Sequence, residues 1–149
     1  MKKSISVKDT QEFAKAMAEK FMENPPSQTG ALLVALQGEL GSGKTTFAQG
    51  FARALGIQEP VLSPTFTIIK SYEMPIQESP FRFLYHVDCY RLRDEQELLD
   101  LGWEEIVSNP RNIILVEWPE RISRALLKQY ATLTFLAKEE TTREIISEV

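Results

Sequence analysis

The chain has 149 residues, and its 43% hydrophobic and 26% charged content is typical of one ordinary globular domain, residues 1–149. A formal net charge of −4 argues against a surface that grips nucleic-acid phosphates all over, although a local basic patch remains compatible with it. Cys89 is the only cysteine, which excludes an internal disulfide and a multi-cysteine metal site. No apolar run approaches a signal peptide or the ~20 residues of a membrane span, so we expect a cytoplasmic protein.

The first predicted element is an amphipathic helix over residues 9–24. Its apolar side chains recur every fourth position, at Phe13, Met17 and Phe21. Asp9 with Glu12 resembles a capping box, which predicts that the helix begins there.

Two unbroken apolar runs predict strands buried on both faces, "ALLVALQ" at residues 31–37 and "NIILVEW" at residues 112–118. A glycine-rich loop follows the first run, and residues 44–56 then predict a helix that ends at Gly56.

The remaining segments predict two antiparallel hairpins and several helices. One hairpin joins residues 65–72 to 81–88, and the other joins 130–137 to 143–149. Residues 94–102 and 103–109 predict short helices, and residues 119–128 predict a helix with Pro119 at its start. Because helices and strands alternate around two buried strands, we expect a three-layer α/β domain with a mixed central sheet.

The segment "GELGSGKT" satisfies the pattern G-x-x-x-x-G-K-[ST]. Glycines let the loop curl so that consecutive N–H groups face phosphate oxygens, and the following helix directs its positive end to the same place. Lys44 supplies a cation for the β- and γ-phosphates, and the Thr45 hydroxyl completes Mg²⁺ coordination. The sequence therefore predicts a P-loop site for a nucleoside triphosphate. Its binding residues are Gly38, Glu39, Leu40, Gly41, Ser42, Gly43, Lys44, Thr45 and Thr46.

A phosphate loop also needs a carboxylate from the end of a neighbouring strand. Asp88 and Glu117 both end predicted strands, and Glu117 follows the more hydrophobic one, which is the kind that lies beside the loop strand. Both are candidates for Mg²⁺ and for catalysis, and the residues alone do not choose between them. Thr65 belongs to a switch-like segment that could reach Mg²⁺ or the γ-phosphate, or could simply lead into a strand. His86 lies off the apolar face of its strand, which favours a structural or supporting role.

The guanine-selecting motif N-K-x-D is absent from the chain, which favours ATP over GTP. A small-molecule kinase needs an acceptor pocket and a lid. Only about thirty residues follow Glu117, which leaves little room for either. Water is then the acceptor, and the residues favour an ATPase. No arginine is obviously placed as a finger, which predicts slow hydrolysis by the chain alone.

Five motifs in this order resemble the bacterial tRNA threonylcarbamoyladenosine biosynthesis ATPases, the TsaE (formerly YjeE) family. They are "GELGSGKTTFAQGF", "SPTFTI", "HVDCYRL", "ELLDLGWEE" and "ILVEWPER". The resemblance covers residues 30–121, with weaker agreement in the first helix. Cys89 stands where the family usually has leucine, at a packing position.

The resemblance implies an ATPase that acts with two partners, TsaB and TsaD, to transfer a threonylcarbamoyl group to the adenosine next to the anticodon. It implies contact with tRNA only through that complex, and with neither DNA nor a membrane. The roles it implies fall on Thr45, Asp88 and Glu117 for Mg²⁺ and hydrolysis, Thr65 for the switch and Thr10 for the base, and the family's tryptophan falls on Trp118. The place of Trp118 beside Glu117 predicts that it acts at the partner interface. The alternatives are a nucleotide-dependent docking module without essential hydrolysis, and a small kinase.

Overall fold

The computed structural model describes residues 2–4, 6–26, 29–62, 64, 67–75, 79–126, 131–140 and 142–148. Its strands are β1 (Lys2–Ser4), β2 (Leu32–Gly38), β3 (Ile69–Glu73), β4 (Phe83–Asp88), β5 (Asn112–Glu117), β6 (Ala131–Ala137) and β7 (Arg143–Glu148). Its helices are α1 (Val7–Glu23), α2 (Lys44–Ala54), α3 (Glu95–Asp100) and α4 (Trp103–Ser108), with a 3₁₀ turn at Pro119–Ile122.

Within the described residues the strands form one sheet in the order β1-β7-β6-β2-β5-β4-β3. The four central strands β6, β2, β5 and β4 are parallel to one another, β7 and β3 pair antiparallel with the outer two of these, and β1 pairs antiparallel with β7. The prediction of a mixed sheet is confirmed. The two apolar runs are adjacent, since β2 pairs with β5 from Leu32↔Ile113 to Leu36↔Glu117.

Side chains alternate across the sheet and fill two apolar cores. On one face, alternate residues of β2 and β5 pack with Phe47 and Phe51 of α2 and with the buried side of α1. On the other face, the intervening residues pack with Trp103 of α4 and Leu98 of α3. Helices therefore cover both faces, and the predicted three-layer arrangement is confirmed. The fold is that of a P-loop NTPase-like α/β protein.

The first helix begins earlier than the sequence predicted. Ser6 is its N-cap, with extended backbone geometry, and its Oγ accepts a hydrogen bond from the Asp9 amide at 3.1 Å. The predicted capping box at Asp9 and Glu12 is therefore wrong by about one turn. A serine hydroxyl three residues before an amide satisfies that orphan donor directly, so Val7 is already helical.

Both predicted hairpins are present, as β3–β4 and β6–β7, and α3 and α4 are the predicted short helices. The helix predicted over residues 119–128 is instead a 3₁₀ turn at Pro119–Ile122 that continues as turns to Ala125. Trp118, just before it, has a left-handed backbone with φ 59°. Residues 127 and 128 lie outside the described part.

Gly50 lies where α1 and α2 cross most closely. A Cβ on Gly50 would be 2.8 Å from Gln11 Cα and 3.0 Å from Gln11 O, and both of these atoms belong to the backbone of α1. This close crossing packs Phe13 of α1 against Phe47 of α2, with ring centroids 5.9 Å apart. It also fixes where the N-terminus of α1 lies relative to the glycine loop.

We expect Gly50→Ala to lower the free energy of unfolding by about 1 kcal/mol. The overpacking cost of about 1–3 kcal/mol exceeds the gain of about 1 kcal/mol from replacing a helical glycine. Urea unfolding followed by circular dichroism measures the change. Ala16→Gly, at an exposed position of α1, is the control that reports helix propensity alone. If Gly50→Ala instead raised the free energy of unfolding by the amount that Ala16→Gly lowers it, the helix crossing would have room for a methyl group.

Candidate functional site

The glycine loop starts at Gly38, the last residue of β2, where the chain leaves the sheet. Gly38 has φ 151°, and a Cβ there would meet Ser42 Oγ at 2.6 Å and Phe135 O at 2.7 Å. Only glycine therefore fits at this turn. Ser42 Oγ is buried and has no hydrogen-bond partner among the described residues, while the Ser42 amide closes a turn by donating to Glu39 O at 3.1 Å.

Helix α2 begins at Lys44, directly after the loop. Its N-cap, Gly43, has a left-handed backbone and offers no side-chain cap, and the first turn contains no acidic residue. The first N–H groups of the helix thus keep their hydrogen-bonding capacity and the positive end of the helix dipole. This arrangement suits an anion such as a phosphate.

Lys44 is buried, with 4% exposure, and its side chain turns back over the loop. Its Nζ donates a hydrogen bond to Gly38 O at 2.6 Å. The same Nζ lies 3.8 Å from the centroid of the Trp118 ring, a cation–π contact, and Trp118 in turn packs on Tyr90 with centroids 4.9 Å apart. The ammonium group is thereby held at the mouth of the loop.

The two candidate carboxylates stand side by side on neighbouring strands. β5 lies directly beside β2, and β4 lies directly beside β5, with Asp88 and Glu117 as register partners at their carboxyl ends. Both residues alternate onto the face that α2 covers, and both are buried, at 4% and 3% exposure. The structure therefore brings Asp88, Glu117 and Lys44 together beside the loop, with Glu117 on the nearer strand.

The charges in this cluster influence one another. Burial lowers the pKa of Lys44, and the carboxylates of Glu117 and Asp88 are the main groups that oppose this shift. Asp88 also accepts a hydrogen bond from the Tyr90 amide at 2.9 Å, which fixes its carboxylate at the strand end. On the other side, Glu117 Oε2 is 2.5 Å from Nε2 of the fully buried His86.

A cavity of about 610 Å³ opens between the glycine loop, the N-terminus of α1 and the ends of β4 and β5. This volume is within the range of ligand pockets. Ten of the sequence-predicted residues line it: Thr10, Leu40, Gly41, Gly43, Lys44, Thr45, Thr46, Asp88, Glu117 and Trp118. Gly38, Glu39 and Ser42 support the loop from outside the wall, and Thr65 lies outside the described residues.

Other residues of the wall were not predicted from the sequence. They are Ser6, Val7, Tyr90, Arg91, Glu140 and Arg143. Arg143 of β7 is the most informative, because its Nη2 donates to Gly41 O in the loop at 3.0 Å, while Nη1 donates to the carbonyls of Glu139, Glu140 and Thr142. No motif marks this arginine, since its partner Gly41 is 102 positions away along the chain.

These residues fit a nucleoside triphosphate with Mg²⁺. The donors at the start of α2 and the Lys44 ammonium match phosphate oxygens, and Thr45 with the two carboxylates supplies oxygen ligands. Among the described residues no group of three or more His, Cys, Asp or Glu side chains could hold a metal by itself. Mg²⁺ does not need such a group, since it binds through one or two carboxylates, waters and substrate phosphates.

Comparisons with known proteins find a matching family and similar relatives. The model of the family described as "Threonylcarbamoyl adenosine biosynthesis protein TsaE" matches residues 4–145. The chain is 42% identical over 113 residues to the tRNA threonylcarbamoyladenosine biosynthesis protein TsaE of Bacillus subtilis (strain 168), covering 76% of this chain and 66% of that protein. It is 37% identical over 113 residues to the protein of the same name from Treponema pallidum (strain Nichols), covering 76% and 78%.

A solved structure is also similar, the crystal structure of Bacillus subtilis YdiB. It superposes with a TM-score of 0.68 at 29% identity and covers 97% of this chain and 80% of that chain. None of the helices in the described part of the chain combines the length and apolar character that a membrane crossing requires.

Cys89 follows Asp88 directly and is fully buried, and burial raises the pKa of its thiol to about 12, helped by the nearby carboxylates. The thiolate is the reactive form, so at pH 8 the native protein should react with Ellman's reagent about a thousand-fold more slowly than the unfolded chain. The rate should rise steeply as the pH increases. Release of one thionitrobenzoate in guanidinium chloride is the control, and rapid reaction of the folded protein would contradict the assigned burial.

Proposed function

The chain is a member of the TsaE family of tRNA threonylcarbamoyladenosine biosynthesis proteins, and we propose that within it the protein is a magnesium-dependent ATPase. The observation that supports this most directly is the meeting of Lys44, Glu117 and Asp88 beside a glycine loop and an uncapped helix N-terminus. Each group is of the type that ATP hydrolysis by phosphate-loop proteins requires.

The proposed mechanism assigns one task to each residue. The loop amides and the start of α2 bind the phosphates, and Lys44 places a positive charge beside the β- and γ-phosphate oxygens. Thr45 and Glu117 would hold the metal, with Asp88 as a further oxygen donor, and Glu117 or Asp88 would orient the attacking water. When bound, Mg²⁺ supplies a Lewis acid that neutralises charge on the phosphate oxygens.

The pocket wall contains two arginines, Arg91 and Arg143, and the engagement of Arg143 supports slow hydrolysis by the protein alone. Arg143 reaches the loop, but its guanidinium is occupied by four backbone carbonyls. A cationic side chain that stabilises the transferring phosphoryl group is worth about 10³-fold or more in rate. We propose that TsaB- and TsaD-type partners stimulate turnover, that tRNA is contacted only through their complex, and that the protein works in the cytoplasm. ATP hydrolysis would then reset that complex between rounds.

We expect Lys44→Ala to abolish productive ATP binding, because a buried ammonium beside the phosphate site is lost. We expect Glu117→Ala to keep ATP binding and to lose hydrolysis. Calorimetry with Mg²⁺ and ATP, together with phosphate release in the presence of the partners, separates the two effects. Lys70→Ala and Glu73→Ala, exposed on β3, make the same charge changes away from the pocket and serve as controls.

Two results would contradict these assignments. Normal hydrolysis by Glu117→Ala would remove that carboxylate from the mechanism. If Glu117→Ala, or a non-hydrolysable ATP analogue, supported repeated rounds of tRNA modification, the protein would instead be a docking module whose shape is set by nucleotide.

Trp118 is half-buried at the mouth of the cavity, which supports a role in partner contact. We expect Trp118→Ala to weaken binding to the partner complex and to reduce the partner-stimulated rate. Titration by biolayer interferometry measures the first effect and phosphate release the second. Trp118→Phe, which keeps an aromatic ring, should be milder, and Leu99→Ala tests an exposed apolar side chain elsewhere. Unchanged partner affinity in Trp118→Ala would refute the role.

A further inference from the structure

His86, the only histidine of the chain, is completely buried in the middle of β4. In the sheet it is the register partner of Leu115, and Glu117 follows two residues later on β5. Residues two apart on a strand share a face, so the imidazole and the Glu117 carboxylate lie on the same side of the sheet as diagonal neighbours. Their closest atoms, His86 Nε2 and Glu117 Oε2, are 2.5 Å apart.

The direction of this hydrogen bond follows from the chemistry of the two groups. An ionised carboxylate only accepts hydrogen bonds, so Nε2 carries the hydrogen and donates it to Oε2. Nδ1 is buried and has no hydrogen-bond partner among the described residues, so no second contact of the ring competes for its orientation. The imidazole is therefore directed to a single partner.

An aliphatic side chain would pack at this buried position without cost, whereas burial of a polar ring is unfavourable unless the ring is hydrogen-bonded. The histidine is therefore explained by its hydrogen bond and not by packing. His86 lies on the same face of β4 as Leu84, which belongs to the core beneath α2. Glu117 is also the one of the pair that lines the cavity. The imidazole therefore approaches the carboxylate from within the core, on the side away from the cavity.

We propose that His86 is the positioning residue of Glu117. By holding Oε2 it fixes the side-chain rotamer and leaves the other oxygen, Oε1, as the one that Glu117 presents to the cavity. Glu117 would therefore bind metal or orient water through a single oxygen, in a direction set before nucleotide arrives. This inference rests on the proposed function, since it gives a cause for the geometry that the function requires of Glu117.

The neighbouring charges explain why Glu117 needs a hydrogen bond that fixes its orientation. Without it, the Glu117 carboxylate could turn toward the Lys44 ammonium or away from the adjacent Asp88 carboxylate, since all three groups meet at this edge of the sheet. Ion pairing of Glu117 with Lys44 would withdraw both from phosphate and metal. Among the described residues, the side chain that holds Glu117 by a hydrogen bond is His86.

The test uses His86→Met, which keeps an apolar side chain of similar reach without a donor, and His86→Gln, which keeps an N–H donor. The control is Leu84→Met, a core change on the same face of the same strand. Calorimetry measures the affinity for ADP with and without Mg²⁺, and phosphate release measures the partner-stimulated kcat. Thermal melting reports folding.

Without Mg²⁺, we expect His86→Met to bind ADP as the wild type does. With Mg²⁺, its affinity for ADP should be about 10-fold weaker than that of the wild type, and its kcat should be about 10–100-fold lower. His86→Gln should recover most of both, and Leu84→Met should change neither. In a Glu117→Ala background, where hydrolysis is already lost, His86→Met should cause no further loss of Mg²⁺-dependent ADP affinity, since its effect passes through that carboxylate.

If His86→Met equals the wild type in Mg²⁺-dependent affinity and kcat, the inference is overturned while the proposed function stands. The inference is also overturned if the loss persists in the Glu117→Ala background, since His86 then acts on packing alone. If His86→Met fails to fold, His86→Asn replaces it, because the asparagine side chain is too short for its N–H donor to reach Glu117. Equal activity of the Asn and Gln variants would then overturn the inference. A wild-type protein that shows no Mg²⁺-dependent nucleotide binding would overturn the proposed function as well.

Discussion

Two carboxylates and one ammonium group are buried together at the carboxyl edge of the central strands. Burial of any one of these charges without the others would be unfavourable. Glu117 and Asp88 are register partners on strands about 4.8 Å apart, and each buried ion carries a desolvation penalty of several kcal/mol. Lys44 offsets part of this cost, although burial also disfavours its own charged form. A cluster with two negative charges and one positive charge favours a further cation, as the proposed metal supplies.

The rest of the fold holds these charges in place. β2, β5 and β4 are parallel neighbours, so their carboxyl ends meet at one edge, where the loop after β2 and the acidic ends of β5 and β4 face each other. Apolar side chains cover both faces of β2 and β5, and a one-residue shift of β5 would turn the Glu117 carboxylate into the opposite apolar core, which makes that shift costly. The hydrophobic cores thus fix the site to within a residue.

The sequence predicted the parts of the site that are encoded locally. The glycine loop and Lys44 belong to one motif of eight consecutive residues, which can be read directly from the sequence. The apolar run before Glu117 predicted a strand beside β2, and the observed pairing of β2 with β5 confirms it. The α1 cap was misplaced because both Ser6 and Asp9 are common cap residues and only backbone geometry chooses between them. The last predicted helix is a 3₁₀ turn, because Pro119 marks where a helical segment begins and carries no information on how far it continues.

Contacts between distant segments could not be predicted. The alternation of Phe83, Tyr85 and Val87 indicated that His86 points away from the apolar side, whereas both faces of β4 are covered and His86 contacts Glu117 from within a core. The role of Thr65 stays a prediction, because it lies outside the described residues.

Arg143 joins the glycine loop to the far end of the chain through a single guanidinium group that binds Gly41 and the carbonyls before it on the β6–β7 connection. The loop is therefore braced from outside its own strand and helix. An insertion, deletion or protease cut in that connection would loosen the glycine loop without touching any residue of its motif. Natural length variation in this family should accordingly be found elsewhere on the surface, where no such contact reaches the loop.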